Sequence, residues 1–183
     1  DRPVHWIYQN AKFDMKMMLR KISTPTTLCG TVTDIAVQAR IQRNDHMAYN
    51  LASQGARIGD AKLDIAKEYI KEHDLYEERK DFFGFVEKQP RYDRVPVEVM
   101  QPYAEQDARL TLKLFRHYNT LMDADDQRVM DMERKLTPVL YKMEQRGVLL
   151  DFKYTLMAYY YEKDKFEELK QSFEELARQP YTN

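Results

Sequence analysis

Two short runs bring together residue types that can do chemistry. In Asn10-Ala11-Lys12-Phe13-Asp14 a strand-like run ends, a polar residue turns the chain, and a carboxylate enters the first turn of a helix. From just beyond a strand end, that carboxylate can reach into a cleft and hold a hard cation through oxygen or through its water. The same placement also suits plain charge stabilisation of a helix N-terminus. In Tyr103-Ala104-Glu105-Gln106-Asp107 the phenol and the carboxylate stand at i and i+4, about 6 Å apart on one helix face. A phenol beside a metal-holding carboxylate can orient a water nucleophile; alone, the pair is a Tyr–Asp hydrogen bond at a helix surface. We expect that face to carry Ala104 and Thr111 as well, so solvation explains the carboxylate poorly.

Other chemistries lack support. The chain has no G-x-x-x-x-G-K-[ST], G-x-G-x-x-G, H-E-x-x-H or C-x-x-C. His5, His46, His73 and His117 are scattered and read as ordinary histidines. Cys29 is the only cysteine, which excludes an internal disulfide and a thiolate zinc cluster and suits a reducing compartment.

The elements that must position these runs follow from pattern. Val4–Tyr8 is rich in aromatic and β-branched residues and reads as a buried strand. Lys12–Ile22 has helical spacing, with Met15, Met18, Leu19 and Ile22 on one side, and stops at Ser23-Thr24-Pro25. Thr31–Ile35 reads as a second strand feeding a helix to Ile41, with Asp34 as its N-cap. Helices are expected at Tyr49–Arg57 and Leu63–Lys71, and Asp74–Pro96 as a long connection. Beyond it the chain is helical. Val99–Leu121 carries Ala104, Ala108, Leu112 and Phe115 on one apolar stripe and is expected to end at the acidic run Asp123–Asp126. Gln127–Arg146 places Val129, Met132, Leu136, Val139 and Met143 on one stripe, with a kink expected at Pro138 and a stop at Gly147. Tyr154–Arg178 carries Leu156, Phe166, Leu169 and Phe173 on an otherwise charged helix.

With 183 residues, 43% apolar and 32% charged, the chain can bury a core and is not of disordered composition. No stretch approaches the ~18 consecutive apolar residues of a membrane span. A formal charge of -1 leaves nucleic-acid binding to local patches. The start at Asp1, almost directly on a strand, reads as a fragment.

In this order and separation the two runs resemble the second (N-x-x-F/Y-D, Asn10 to Asp14) and third (Y-x-x-x-D, Tyr103 to Asp107) motifs of a known family. It is the proofreading 3′–5′ exonuclease domain of family A DNA polymerases, the DEDD superfamily with a tyrosine in its last motif. Thr33-Asp34-Ile35 and Tyr49-Asn50-Leu51 are similar to the family's intervening segments. Leu136–Leu140 and Met143-Glu144-Gln145-Arg146-Gly147-Val148-Leu149-Leu150-Asp151 look like the join between exonuclease and polymerase. A stand-alone ribonuclease of the superfamily would lack that tail.

The resemblance implies an α/β, ribonuclease H-like fold, helix-rich and lacking its first strands. Residues 1–122 would be the partial exonuclease domain, and 123–183 the connecting helices and the start of the polymerase thumb. It implies two-metal hydrolysis of the 3′-terminal phosphodiester of DNA, with Mg²⁺ or Mn²⁺ held by Asp14 and Asp107 and the water positioned by Tyr103. Asn10 and Phe13 would shape the pocket for the terminal nucleotide. Lys12, Lys16 and Arg20, four apart, can contact phosphates or form a solvated face. Expected partners are a single-stranded DNA 3′ end or primer-template and the rest of the polymerase chain, with no membrane, in the cytoplasm of a bacterial or phage-infected cell. The family's first motif, D-x-E upstream of the second, is not in place. Asp131-Met132-Glu133 has the letters but lies downstream in a helix. This chain alone is therefore expected to be inactive, and a non-catalytic, structural or DNA-guiding module is the competing reading.

Overall fold

The computed structural model describes residues 4–21, 30–80 and 84–181. Its elements are β1 (His5–Tyr8), α1 (Ala11–Lys21), β2 (Thr31–Asp34), α2 (Ile35–Gln42), α3 (Leu51–Arg57), α4 (Ile65–Glu72), β3 (Tyr76–Lys80) and β4 (Val86–Pro90). A 3₁₀ turn at Tyr92–Arg94 follows, then α5 (Val97–Leu121), α6 (Ala124–Arg146) and α7 (Phe152–Ala177). The chain divides into two units, Asp1–Lys142 and Met143–Asn183. The Ser23–Pro25 break, Ile22, Cys29 and the side chains of Leu19 and Arg20 lie outside the described residues.

In the first unit β1 and β2 pair in parallel, with His5 opposite Thr31 and Tyr8 opposite Asp34. Parallel neighbours need a crossover connection, and α1 lies on it. Gly30 leads into β2 at φ +106, where a Cβ would sit 2.0 Å from the Val4 carbonyl oxygen; only glycine permits that approach. Asp34 does more than cap α2. Its carboxylate accepts from the Ala36 N–H (2.9 Å) and also from the N–H groups of Asn10 (3.1 Å) and Ala11 (2.8 Å). One side chain thus satisfies orphan donors at the starts of both α1 and α2 and ties the ends of the two strands together. Asn10 turns the chain there at φ 65, a left-handed conformation that asparagine tolerates.

One buried cluster joins Ile35 and Ala39 of α2 and Leu51 of α3 to Leu110, Leu114 and Tyr118 of α5. A second joins Ala11 and Met15 of α1 to Val32 of β2 and Tyr141 of α6. The α5 stripe therefore differs from the expected one. Ala104, Ala108 and Leu112 are exposed and Phe115 half-buried, while Leu110, Leu114 and Tyr118 are buried. Both sets satisfy helical spacing, and only the position of α2 and α3 selects between them.

The same holds for α6. Val129, Met132, Leu136, Val139 and Met143 are all exposed, whereas Met130, Thr137 and Tyr141 are buried. Arg134 lies on the buried side and its Nε donates to the Thr33 hydroxyl at 2.9 Å. That hydroxyl also meets His5 Nε2 at 2.8 Å, and burial followed by the Arg134 charge holds the imidazole's pKa below its usual value. His5 is held in the fold by this hydroxyl and by the edge-on Phe115 ring. Helix α6 runs on through Pro138, and Asp131 and Glu133 are both on it.

The expected long connection at Asp74–Pro96 is a correction. It contains the antiparallel hairpin β3–β4, with Tyr76 opposite Pro90 and Lys80 opposite Val86. Tyr-Glu-Glu-Arg-Lys and Val-Glu-Lys-Gln-Pro bury almost nothing, so the apolar alternation that marks a half-buried strand is missing.

In the second unit Gly147, at φ 72, ends α6, and the Asp151 carboxylate caps α7 by accepting the Tyr154 N–H at 3.0 Å. No residue of α7 is buried; Phe166 and Phe173 of its stripe meet the Tyr181 ring edge-on.

Candidate active site

Asp14 lies in the first turn of α1, at the carboxyl ends of the parallel strands, where open α/β sheets bind their ligands. Its half-buried carboxyl is pushed up to about 6, first by burial and then by the nearby Asp34 charge. Tyr8 is raised as well, by burial and then by Asp14. Burial and the Asp34 charge disfavour the ionised form of Asp14, and a bound cation would reverse the sign.

This sets a pH dependence. The folded pKa of Asp14 exceeds its unfolded value of 3.8, so folding is favoured below about pH 4 and the advantage is lost as pH rises through about 6. Asp14→Asn is therefore expected to raise stability at pH 8 by about 1 kcal/mol, after discounting for the half-exposed carboxylate. The gain should vanish at pH 4. Denaturant unfolding at the two pH values in metal-free buffer tests this; equal stabilities at pH 8 would contradict the assigned cause.

Tyr103 and Asp107 are half-buried on α5, on the same side as Leu110 and Leu114 and not beside the exposed Ala104. The carboxylate Oδ2 of Asp107 accepts from Lys62 Nζ at 2.7 Å, and that ammonium lies 4.7 Å from the centre of the Tyr103 ring. Burial lowers the Lys62 pKa, but its hydrogen bonds to Asp107 and Tyr103 outweigh burial and leave it raised. Asp107 Oδ1 is buried and has no hydrogen-bond partner. A buried carboxylate oxygen without a partner is costly, and it marks a position suited to a hard cation. The Tyr103 ring stacks on Tyr92, with centroids 6.5 Å apart.

Segment 60–63 is fastened to α5 beside this pair. Gln106 donates from Nε2 to the Ala61 carbonyl (2.8 Å) and accepts the Leu63 N–H (2.8 Å), while Lys113 pairs with Asp60 at 2.6 Å. Lys62 thus reaches Asp107 from a backbone clamped on either side. Its position was not legible in the sequence: it stands 45 residues from Asp107, and no spacing rule links a loop lysine to a helix so far along the chain.

The two expected metal-holding residues have separate surroundings. Asp14 lies beside Tyr8 and Asp34, and Asp107 beside Lys62 and Tyr103. Among the described residues no three metal-ligating side chains gather at one point. A cavity of about 510 Å³ opens at the strand ends, lined by Gln9, Asn10, Lys12, Asp34, Arg40 and Tyr49 among others. Asn10 faces it. Asp14, Tyr103 and Asp107 do not line it, and Phe13 is exposed on the surface of α1. Lys16 is exposed on the same helix. Tyr49, at the cavity wall, has the Arg40 and Arg57 guanidinium groups 4.7 and 5.6 Å from its ring centre.

Comparison with known proteins follows this geometry. A DNA polymerase of Vibrio phage phiVC8 is 31% identical over 162 residues, 83% of this chain and 25% of that protein. DNA polymerase I of Pseudomonas aeruginosa is 29% identical over 146 residues, 78% of this chain and 14% of that protein. A DNA polymerase of Salmonella phage PMBT28 is 30% identical over 158 residues, 79% of this chain and 22% of that protein. The chain thus spans a quarter or less of the length of these relatives. No solved structure matches it. The family model for the 3′–5′ exonuclease domain of family A DNA polymerases matches residues 1–123, which contain both motifs and the strands and helices that carry them. By that match the chain belongs to the ribonuclease H-like 3′–5′ exonuclease family of family A DNA polymerases.

Proposed function

We propose that this chain is part of a DNA-directed DNA polymerase and carries its proofreading exonuclease, which hydrolyses the 3′-terminal phosphodiester of DNA. Residues 1–122 form the exonuclease part, and 123–183 are the connecting helices that lead to the polymerase thumb. The family match, over residues 1–123, supports the first part. The observation that carries the reading is the Tyr103–Asp107 pair: a phenol one turn from a carboxylate whose Oδ1 is buried without a partner.

The donor set suits a divalent cation. Asp14 and Asp107 offer hard oxygen ligands, the chemistry Mg²⁺ and Mn²⁺ prefer. Two such ions would supply charge stabilisation of the attacking and leaving oxygens. Asp14 and Asp107 would hold them, and Tyr103 would fix the direction of the attacking water through its hydroxyl. Asn10 and Phe13 would receive the terminal nucleotide, Asn10 from the cavity wall and Phe13 by stacking on a base. Lys12 and Lys16 provide positive charge on α1 toward the phosphates. The other partners are the remainder of the polymerase chain and the primer-template, in the cytoplasm of a bacterial or phage-infected cell. Among the described residues no helix is long and apolar enough to cross a membrane.

Tyr103→Phe tests the reading in the full-length protein, because it keeps the ring that stacks on Tyr92 and removes only the hydroxyl. Release of label from 3′-labelled single-stranded DNA in Mg²⁺ is expected to slow about tenfold in kcat, with KM nearly unchanged. An unaltered kcat would remove Tyr103 from the mechanism. Absence of any metal-dependent release by the wild type would favour the non-catalytic, DNA-guiding reading instead.

A further inference from the structure

We propose that Lys62 is a positioning residue that competes with a divalent cation for the Asp107 carboxylate, so that metal binding requires its ammonium to leave Oδ2. The inference rests on the reading of Asp107 as a metal ligand. Three observations carry it. The Lys62 ammonium sits 2.7 Å from Asp107 Oδ2, in a place where its side chain is only 12% exposed. The other oxygen, Oδ1, is buried without a partner, so the ammonium satisfies half of a carboxylate whose remaining acceptor capacity is met by nothing among the described residues. The ammonium also lies 4.7 Å from the centre of the Tyr103 ring, a contact that does not depend on Oδ2.

The competition follows from charge. A lysine ammonium is a compact point charge on a flexible stem with three donors. It can offset the Asp107 charge, yet it fills no second coordination position and bridges no two ligands. A divalent cation brings twice the charge and accepts both carboxylate oxygens or one oxygen and water. The two cannot occupy Oδ2 together, and within ~4 Å their like charges repel. The Gln106 clamp fixes the backbone on both sides of Lys62, so only its side chain has to move for Oδ2 to be vacated. Lys62 then keeps Asp107 and Tyr103 in register until a cation takes over, and it sets a threshold concentration for that exchange.

The test uses the full-length protein and Mn²⁺ as the probe, with binding followed by electron paramagnetic resonance of free Mn²⁺. Lys62→Met removes the charge and keeps the stem; it is expected to bind Mn²⁺ about tenfold more tightly at the Asp107-dependent site. Lys62→Arg, which keeps the charge, is expected to stay near the wild-type affinity. Unchanged or weaker binding by Lys62→Met overturns the proposal, because removal of a competing charge must raise metal affinity. A second measurement on the wild type covers the case in which Lys62→Met does not fold. Labelling by an amine-reactive reagent, read by mass spectrometry, is expected to increase severalfold at Lys62 when saturating Mg²⁺ replaces EDTA, and constant labelling overturns the proposal. Asp107→Asn separates the two readings. If it leaves Mn²⁺ binding unaltered, Asp107 is not a ligand and the underlying assignment fails; if it abolishes binding while Lys62→Met changes nothing, only the competition fails.

Discussion

Asp107→Ala in the full-length protein is expected to cut release of a 3′ label from single-stranded DNA by on the order of 10³-fold, with DNA affinity little changed. Metal-held charge stabilisation is worth several kcal/mol in a hydrolytic transition state, and each ~1.4 kcal/mol is a factor of ten in rate. The carboxylate is also the centre of a small network, so alanine leaves the Lys62 ammonium, 12% exposed, without its ion-pair partner. Stability must therefore be measured beside activity, by thermal unfolding of the variant and of Asp107→Asn, which keeps the shape and a polar partner for Lys62. A folded Asp107→Asn that releases label at the wild-type rate would exclude Asp107 from the reaction. A folded variant with the expected loss supports it whatever the fate of the alanine.

The second large effect concerns the face that holds this pair in place. Leu114→Ala is expected to destabilise the protein by about 3 kcal/mol, since Leu114 is fully buried among Ile35, Ala39, Leu51, Leu110 and Tyr118 and the void cannot be refilled by solvent-facing side chains. Leu112→Ala, two residues away, should cost well under half as much, because Leu112 is 38% exposed. Urea unfolding of both variants measures the contrast directly. Equal costs would mean that the buried side of α5, and with it the orientation of Tyr103 and Asp107, is other than described.

The legibility of this protein in its sequence divides along a physical line. Features set by a few neighbouring residues were readable: a strand at His5–Tyr8 (though none of it is buried, contrary to the expectation for Val4–Tyr8), the helix beginning beside Asn10, the Asp34 cap, the stop at Gly147, and the shared helix side of Tyr103 and Asp107. Each depends on backbone geometry or turn chemistry that acts within one or two turns. The motif order was readable too, because order along a chain needs no folding.

Choices between equivalent local solutions were made by the tertiary structure alone. Two stripes on α5 and two on α6 satisfy the same periodicity, and the packing of α2 and α3 against α5 and of Tyr141 against Met15 decided which were buried. The charged β3–β4 hairpin formed through cross-strand pairing with no apolar pattern to announce it. Asp34 became a tie between two helices, and Lys62 the counter-ion of Asp107, only because segments 23 to 45 residues apart were brought within 3.1 Å. Spacing along the chain reports the angle of a side chain about its own helix; which partner that angle faces is a property of the whole packed fold.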